Sequence, residues 1–482
     1  MPYEDLREFI RRLDEENELA RIKDEFSVDL EITEIADRAV KMGGKALLFE
    51  KPKGYDIPVL INAFGTERRM KLALETDRFE SIGERLVEFA KIQTKSLFDG
   101  IKAAKDFVNF IPKRVKKGAV KEVIEDKPNL LKFPILKCWP KDGGRFITLP
   151  VVITRDPETG VLNAGMYRMQ VFDERTTGMH WQIHKHGALH YKKAKEEGKD
   201  KIEVAVAIGV DPAILYAATA PLPENLSEFM FAGFIRNKRV KMIDCETVDL
   251  QVPANAEIVL EGYVRTDEFR IEGPFGDHTG YYTPPEPYPV FHVECITHRE
   301  DPIYHTTIVG KPPMEDAWLG KATERIFLPI LRMIHPEIVD INLPIEGGFH
   351  NLAIVSIKKR YPGHAKKVMF SIWGTGMLSL TKIVIVVDDD VNVHDMREVI
   401  WAVTSRFDPS RDVVIIPNAP LDSLDHSSYL PNLGGKLGID ATKKWKEEGY
   451  EREWPDIIEM DENVKKKIDE VWDHLREIIR KD

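Results

Sequence analysis

The stretch Arg270-Ile271-Glu272-Gly273-Pro274-Phe275-Gly276-Asp277-His278-Thr279-Gly280-Tyr281-Tyr282 constrains this chain more than any other. Two carboxylates bracket a Gly-Pro-Phe-Gly segment. Glycine and proline there fix a tight, extended turn, so Glu272 and Asp277 cannot share a helix face. A rigid turn that presents two acids, then a His and a Tyr, suits proton transfer in a partly closed site. A plain hairpin corner whose acids cap nearby amides fits the same letters, and the local sequence does not separate the two.

The rest of the chain supplies the frame. Its 482 residues, 43% hydrophobic and 31% charged, are enough for two or three domains with their own cores. A formal net charge of −11 argues against a nucleic-acid partner, since phosphate repulsion would go unanswered. The basic run Lys113–Lys117 reads as a solvated linker face. Cys138, Cys245 and Cys295 lie far apart without metal-ligand spacing and read as buried thiols in a reducing compartment. No apolar run reaches the roughly 18 residues of a membrane span, and the chain opens on Glu4, Asp5 and Arg7. No membrane span and a cytoplasmic location are therefore expected.

Periodicity divides the chain into three regions. Residues 1–110 alternate helix and strand: Leu6, Phe9, Ile10 and Leu13 share a helical face, and Asp29–Met42, Thr66–Glu75 and Arg78–Gln93 read as further helices. Charge rises and periodicity fades over 99–130, as in a linker. Residues 111–315 turn to short strands (Ile147–Thr154, Val161–Phe172, Ile202–Val210, Val240–Cys245, Ile258–Val264, Val290–Ile296) separated by Gly/Pro/Asp turns, the pattern of a barrel or sandwich. Helices are expected at Leu189–Gly198 and Ser227–Arg236. Residues 316–482 return to α/β, with strands at Ala353–Ile357, Ile383–Val387 and Asp412–Ile416. They end on an amphipathic helix, Asp461–Arg480, whose stripe of Val464, Ile468, Val471, Trp472, Leu475 and Ile479 packs either on its own domain or on a second subunit.

Three segments of the strand-rich region concentrate functional residue types. In Asn163-Ala164-Gly165-Met166-Tyr167-Arg168, an Arg within a largely apolar strand must find an anion, a carboxylate of the protein or of a substrate. In His180-Trp181-Gln182-Ile183-His184-Lys185-His186, a His-x-His pair can chelate a metal or simply pack beside the Trp. In Pro221-Leu222-Pro223-Glu224-Asn225-Leu226-Ser227-Glu228, Ser227 is placed to cap the next helix, and Glu228 is either a dipole partner or an oxygen ligand. Asn, His and Glu together suit Mn²⁺ or Mg²⁺. Asp388-Asp389-Asp390 lacks the Gly and distal Glu of a calcium loop and reads as turn chemistry before a helix capped by Asp395. Lys382 is a surface cation or a phosphate contact.

In order and spacing these pieces resemble the UbiD family of decarboxylases. Asn163-x-Gly-x-x-Arg168, Ile183-His184-Lys185, Pro223 to Ser227-Glu228, Glu272-Gly-Pro-Phe-Gly-Asp277-His-Thr-Gly-Tyr, Thr381-Lys382 with its apolar run, and Gly438-Ile439-Asp440-Ala441-Thr442 follow one another over nearly the whole chain. The resemblance implies an α/β multidomain fold whose central split β-barrel binds prenylated FMN, made by a separate flavin prenyltransferase. It implies Mn²⁺ (or Mg²⁺) on Asn163, His184 and Glu228, a K⁺ ion, and Lys382 at the cofactor phosphate. Met166, Arg168, Ile183 and Pro221 would complete the cofactor contacts. His186 is a second candidate ligand, but the Lys-x-Gly after His184 favours His184. The catalytic network would be Glu272, Arg168 and Asp277: Arg168 orients the substrate carboxylate, Glu272 holds Arg168, and Asp277 protonates carbon. That last role asks for a carboxyl kept neutral by burial beside Phe275 and a second acid.

The implied reaction is reversible, non-oxidative decarboxylation of an aromatic or α,β-unsaturated acid, first a polyprenylated 4-hydroxybenzoate-type acid of quinone biosynthesis. A phosphorylated unsaturated acid of isoprenoid biosynthesis (anhydromevalonate phosphate-like) and a non-catalytic flavin-binding subunit are the alternatives. The resemblance also implies a homodimer or homohexamer.

Overall fold

The computed structural model describes residues 2–92, 108, 110–183, 185–224 and 226–479, so the expected linker over 99–130 falls partly outside the described residues. Leu6, Phe9, Ile10 and Leu13 are all buried on helix α1 (Leu6–Glu15), whose first turn is closed by Asp5 accepting from the Glu8 amide. Strand β1 (Leu19–Ile22), helix α2 (Glu31–Lys41), strands β2 (Ala46–Phe49) and β3 (Val59–Ile61), and helices α3 (Glu67–Ala73) and α4 (Glu80–Ile92) complete the first α/β layer. Tyr304–His305, far along the chain, adds a fourth strand parallel to β3. The N-terminal layer is thus stitched to the end of the central region.

The central region is an antiparallel sheet. Its strands are β4 (Val151–Arg155), β5 (Leu162–Met166), β6 (Thr176–Gly178), β7 (Lys201–Ile208), β8 (Ile258–Glu272) and β9 (Glu286–His298), in the order β6-β9-β8-β7-β4-β5, with Val123–Glu125 also on β9. Among the described residues the ladder runs as an open path. Helices α5 (His186–Glu196) and α6 (Glu228–Arg236) are inserted near the places the sequence indicates. Strand β8 runs well past Val264, where its apolar pattern ends: its outer half is largely solvent-facing but stays paired with Pro287–Pro289. A register shift follows Glu261, and Gly262 is required there because a Cβ would fall 1.8 Å from the His292 carbonyl oxygen.

Helix α7 (Asp316–Ile334) leads to the last region. Its Leu319, Ala322 and Ile326 lie in the core shared with Phe79 and Ile82, whereas Leu328 and Leu331 enter the core beneath the C-terminal sheet. That sheet has the order β10-β11-β12-β14-β13, from β10 (Ile338–Asn342), β11 (Leu352–Ile357), β12 (Ile383–Asp388), β13 (Val413–Pro420) and β14 (Leu433–Ala441). Helix α8 (His364–Trp373) covers one face and α9 (Met396–Arg406) the other, which is why β11 and β12 read as continuous apolar runs. Asp395 caps α9 and Arg406 bridges Asp388 and Asp390, so the Asp-rich turn is structural, as its sequence implies. Helix α10 (Glu462–Ile479) buries no residue: Val464, Ile468, Val471 and Trp472 are 41–47% exposed. Of the two expected packings, the one on its own domain is not formed. No helix among the described residues is long and apolar enough to cross a membrane.

Candidate active site

Glu272 ends β8, and a short ladder of Phe275–Gly276 with Tyr282–Thr283 shapes the turn that follows. The turn is held from outside. Gln170 accepts from the Gly273 amide at 2.7 Å, and Asp142 accepts from Gly276 at 2.8 Å and Trp139 at 2.8 Å. Trp139 packs so tightly on Gly276 that a Cβ there would lie 2.3 Å from its ring. Glycine is needed for that approach, and Asp277 is delivered to a fixed place.

Arg168 follows the break after β5, and its side chain joins the two acids of the turn. Its Nε donates to Glu272 at 2.9 Å, Nη1 to Asp277, and Nη2 to Thr283 at 3.1 Å, with the guanidinium 4.5 Å above the Phe275 ring. The three side chains are 9%, 0% and 8% exposed for Arg168, Glu272 and Asp277. The anion that the sequence demanded for Arg168 is therefore supplied by the protein, and its remaining N–H groups stay free for a ligand.

Burial alone would raise the carboxyl of Glu272, but the His180 imidazole at 2.9 Å and Arg168 outweigh it and hold the group below its usual range. Asp277 behaves alike: burial is overcome by the hydrogen bond from His278 and the charge of Arg168. The expectation that burial keeps a proton on Asp277 is overturned, because two cations flank it. His278 carries the opposite shift. Burial lowers it, but the bond to Asp277, that acid's charge, and the charges of Asp316 and Asp422 push it up to about 9.

A second cluster lies at the other end of the same segment. Asn163 on β5 donates to Glu228 Oε1 at 2.7 Å, and the Ala164 amide donates to Glu228 Oε2 at 2.8 Å. Glu228 opens α6, yet Ser227 makes no side-chain cap there, contrary to expectation. The carboxylate faces the β5 edge instead and is 4% exposed. His186 Nδ1 stands 3.2 Å from Asn163 Nδ2 and 3.9 Å from Glu228. His184 lies outside the described residues. Asn163 Oδ1 is buried without a hydrogen-bond partner among the described residues. Carboxylate, amide oxygen and imidazole make a donor set suited to a divalent ion. Arg168 lies five positions after Asn163, so their Cα atoms are at most about 18 Å apart.

The remaining predicted residues are more dispersed. Lys382 pairs with Asp425 at 2.7 Å and Ser427 at 2.9 Å, and Ile183 is 67% exposed. Met166 is half-buried against the core of α6, and Pro221 is half-buried in the loop before that helix. The segment that holds Lys382 also reaches the turn after Glu272, since His426 packs edge-on to Tyr281 at 5.6 Å. Sequence reasoning passed over His180 and Tyr288, whose rings sit 4.2 Å apart beside Glu272. It also passed over His350 and Asp422, 3.1 Å apart, which face His278 from the C-terminal region. His180 and His278 stood inside segments already of interest, whereas His350 and Asp422 carry no local signal.

Three α/β regions thus bring a buried Glu-Arg-Asp array onto the same segment as the Asn163–Glu228 pair. The chain belongs to the UbiD family. Residues 10–86, 113–312 and 317–441 match the N-terminal, Rift-related and C-terminal domains of 3-octaprenyl-4-hydroxybenzoate carboxy-lyase. It is 74% identical over 482 residues to an uncharacterized protein of Archaeoglobus fulgidus, covering 99% of this chain and 100% of that one. Vanillic acid decarboxylase of Sedimentibacter hydroxybenzoicus in its closed form is 32% identical, with a TM-score of 0.86 over 98% of this chain and 99% of that one. The open form of the same enzyme, 30% identical over 99% of this chain and 100% of that one, gives 0.78. The UbiD-class enzyme HmfF of Pelotomaculum thermopropionicum, solved with FMN, is 33% identical, with a TM-score of 0.79 over 94% and 97% of the two chains. This chain is accordingly a decarboxylase of the UbiD class, whose members act on aromatic acids.

Proposed function

We propose that this protein decarboxylates an aromatic carboxylic acid with prenylated FMN, and that a 3-polyprenyl-4-hydroxybenzoate-type acid of quinone biosynthesis is its first candidate substrate. The observation that carries this reading is the buried Glu272–Arg168–Asp277 array, set one short strand away from the Asn163–Glu228 pair. HmfF has been solved in complex with prFMN in an evolved dimeric form, which supports that cofactor. The open central sheet is the part of a split barrel that would receive it. The orphaned Asn163 oxygen and the Glu228 carboxylate fit a Mn²⁺ ion, with His184 as the third ligand, K⁺ beside them, and Lys382 at the phosphate. A flavin prenyltransferase would supply the cofactor. The uncovered stripe of α10 fits a homodimer or homohexamer of such chains.

Loss of CO₂ from an aryl acid leaves an sp² carbanion, and the prenylated flavin ring supplies the electron sink that makes this loss feasible. The chain's own residues orient and protonate. Arg168 offers its unused N–H groups to the substrate carboxylate while Glu272 fixes its plane. The His180–Tyr288 pair holds Glu272 in turn. Asp277 stands where a proton must reach carbon once CO₂ has left.

The test is decarboxylation of a panel of aryl and unsaturated acids by enzyme co-produced with a flavin prenyltransferase, against enzyme made without it. CO₂ release only in the first preparation supports the reading. A preparation that binds no flavin at all overturns it.

A further inference from the structure

Against burial, the hydrogen bond from His278 and the charge of Arg168 hold the Asp277 carboxyl well below its usual range, yet the reaction proposed above, on which this inference rests, consumes a proton at carbon. The proton must be stored nearby. The groups around the acid leave one candidate. Asp277 Oδ2 receives Arg168, and Asp277 Oδ1 receives both the His278 amide at 2.7 Å and His278 Nδ1 at 2.9 Å. The side chain of His278 is 12% exposed, and its Nε2 is buried with no acceptor among the described residues.

Against burial, the bond to Asp277 and then the charges of three acids push that ring up to about 9. Asp277 faces it from its own turn, Asp316 from the start of α7, and Asp422 from the loop after β13. His350 stacks 5.2 Å away, its Nδ1 donating to the Gly348 carbonyl at 2.7 Å and its Nε2 lying 3.1 Å from Asp422. Phe349 closes the remaining side at 5.4 Å. Asp422 and His350 come from the C-terminal region, so the full charge set around His278 is assembled only when that region lies against the turn, as it does here.

We propose that His278 is a positioning residue that holds the transferable proton for Asp277 in the closed enzyme. Entry of an anionic substrate beside Arg168 adds a like charge next to Asp277, and exclusion of water raises the carboxyl further, so the proton moves from His278 Nδ1 to Asp277 Oδ1. The carboxyl then gives it to the carbon that has lost CO₂. The balance is one carboxylate substrate and one imidazolium giving one product C–H, one CO₂ and one neutral imidazole. The imidazole recovers its proton from water when the site opens.

The experiment compares wild type with His278→Asn, whose amide nitrogen takes the place of Nδ1 and keeps the bond to Asp277 without a titratable proton. His278→Gln serves as a second variant. All are co-produced with a flavin prenyltransferase and assayed on an aryl acid the wild type decarboxylates, with kcat measured from pH 6 to 10. Cofactor occupancy should match wild type in both variants. The kcat should fall by about 100-fold, and the alkaline limb expected for wild type near pH 9 should be absent. Retention of wild-type kcat with an unchanged alkaline limb overturns the proposal. A readout independent of turnover is ¹⁵N-histidine NMR of the protein at pH 7.5, with His278→Asn used to assign the signal. An imidazolium is expected, and a neutral ring overturns the proposal. A loaded wild type inactive on the whole panel would count against the functional reading, while the NMR result would still decide the state of His278.

Discussion

Asn163 donates its side-chain amide to Glu228 Oε1 at 2.7 Å, while the carbonyl oxygen of the same side chain is buried with no hydrogen-bond partner among the described residues. The pairing turns the amide nitrogen toward the carboxylate and leaves the oxygen to be tested as a ligand atom.

Replacing Asn163 by Leu keeps the volume and removes that oxygen. Metal content of the purified holoenzyme, read by elemental analysis, should fall by at least about 10-fold, and bound flavin absorbance should fall with it. Full metal loading would remove Asn163 from the ligand set.

The two histidines can be ranked. His184→Ala should lose metal and flavin more severely than His186→Ala, although His186 is the one seen beside Asn163 and Glu228. The reverse order would transfer the ligand role to His186.

Asp277→Asn should keep cofactor at wild-type occupancy and lose at least about 100-fold in turnover, because the amide cannot carry a proton to carbon. Near-normal decarboxylation by this variant would take Asp277 out of the proton path.

Glu315 accepts from the Asn62 amide at 3.1 Å, the Phe64 amide at 2.8 Å and the Thr307 hydroxyl at 2.6 Å. Glu315→Ala leaves buried donors unpaired and should destabilise the fold by about 3 kcal/mol in denaturant unfolding. Glu315→Gln, which retains an acceptor oxygen, should cost visibly less. Equal losses would show that volume and a single acceptor oxygen rescue nothing, so that both carboxylate oxygens are required.

His305 is buried with neither ring nitrogen hydrogen-bonded among the described residues, and burial lowers it to about 3. An unfolded His titrates near 6.5. Between those values the unfolded chain binds the extra proton and the folded one does not, so stability is full above about 6.5 and declines as pH falls toward 3. The drop in Tm between pH 7.5 and 4.5 should shrink in His305→Leu. An unchanged drop would assign acid sensitivity to other groups, such as His190, lowered to about 4 by burial.

The parts of this architecture that were legible in the sequence are those carried by local chemistry. Glu272 and Asp277 sit on a turn whose Gly and Pro restrict the backbone, and Arg168 in an apolar strand had to find an anion, but that these three form one network was implied only by the family resemblance. The outer half of β8 was missed because its residues face solvent and its order comes from Pro287–Pro289 across the ladder, which no one-strand pattern reports. The state of Asp277 was misjudged because its second cation, His278, is itself raised by Asp316 and Asp422. Asp422 lies about 145 positions downstream of Asp277. Charges that meet only through tertiary contact leave no trace in spacing.

Helix α7 belongs to two cores at once, and this sets where the lineage of such chains can change length. Each added or deleted residue turns everything beyond it by about 100° and moves it by about 1.5 Å. An insertion between Leu319 and Leu331 would swing the C-terminal sheet out of line with the turn that Asp422 and His350 meet. The helix also starts beside Glu315, so slippage cannot be absorbed at its first turn. Length variation among descendants of this fold should therefore gather in surface turns such as Asp156–Gly160, and this rod should keep its count of residues even where its letters drift.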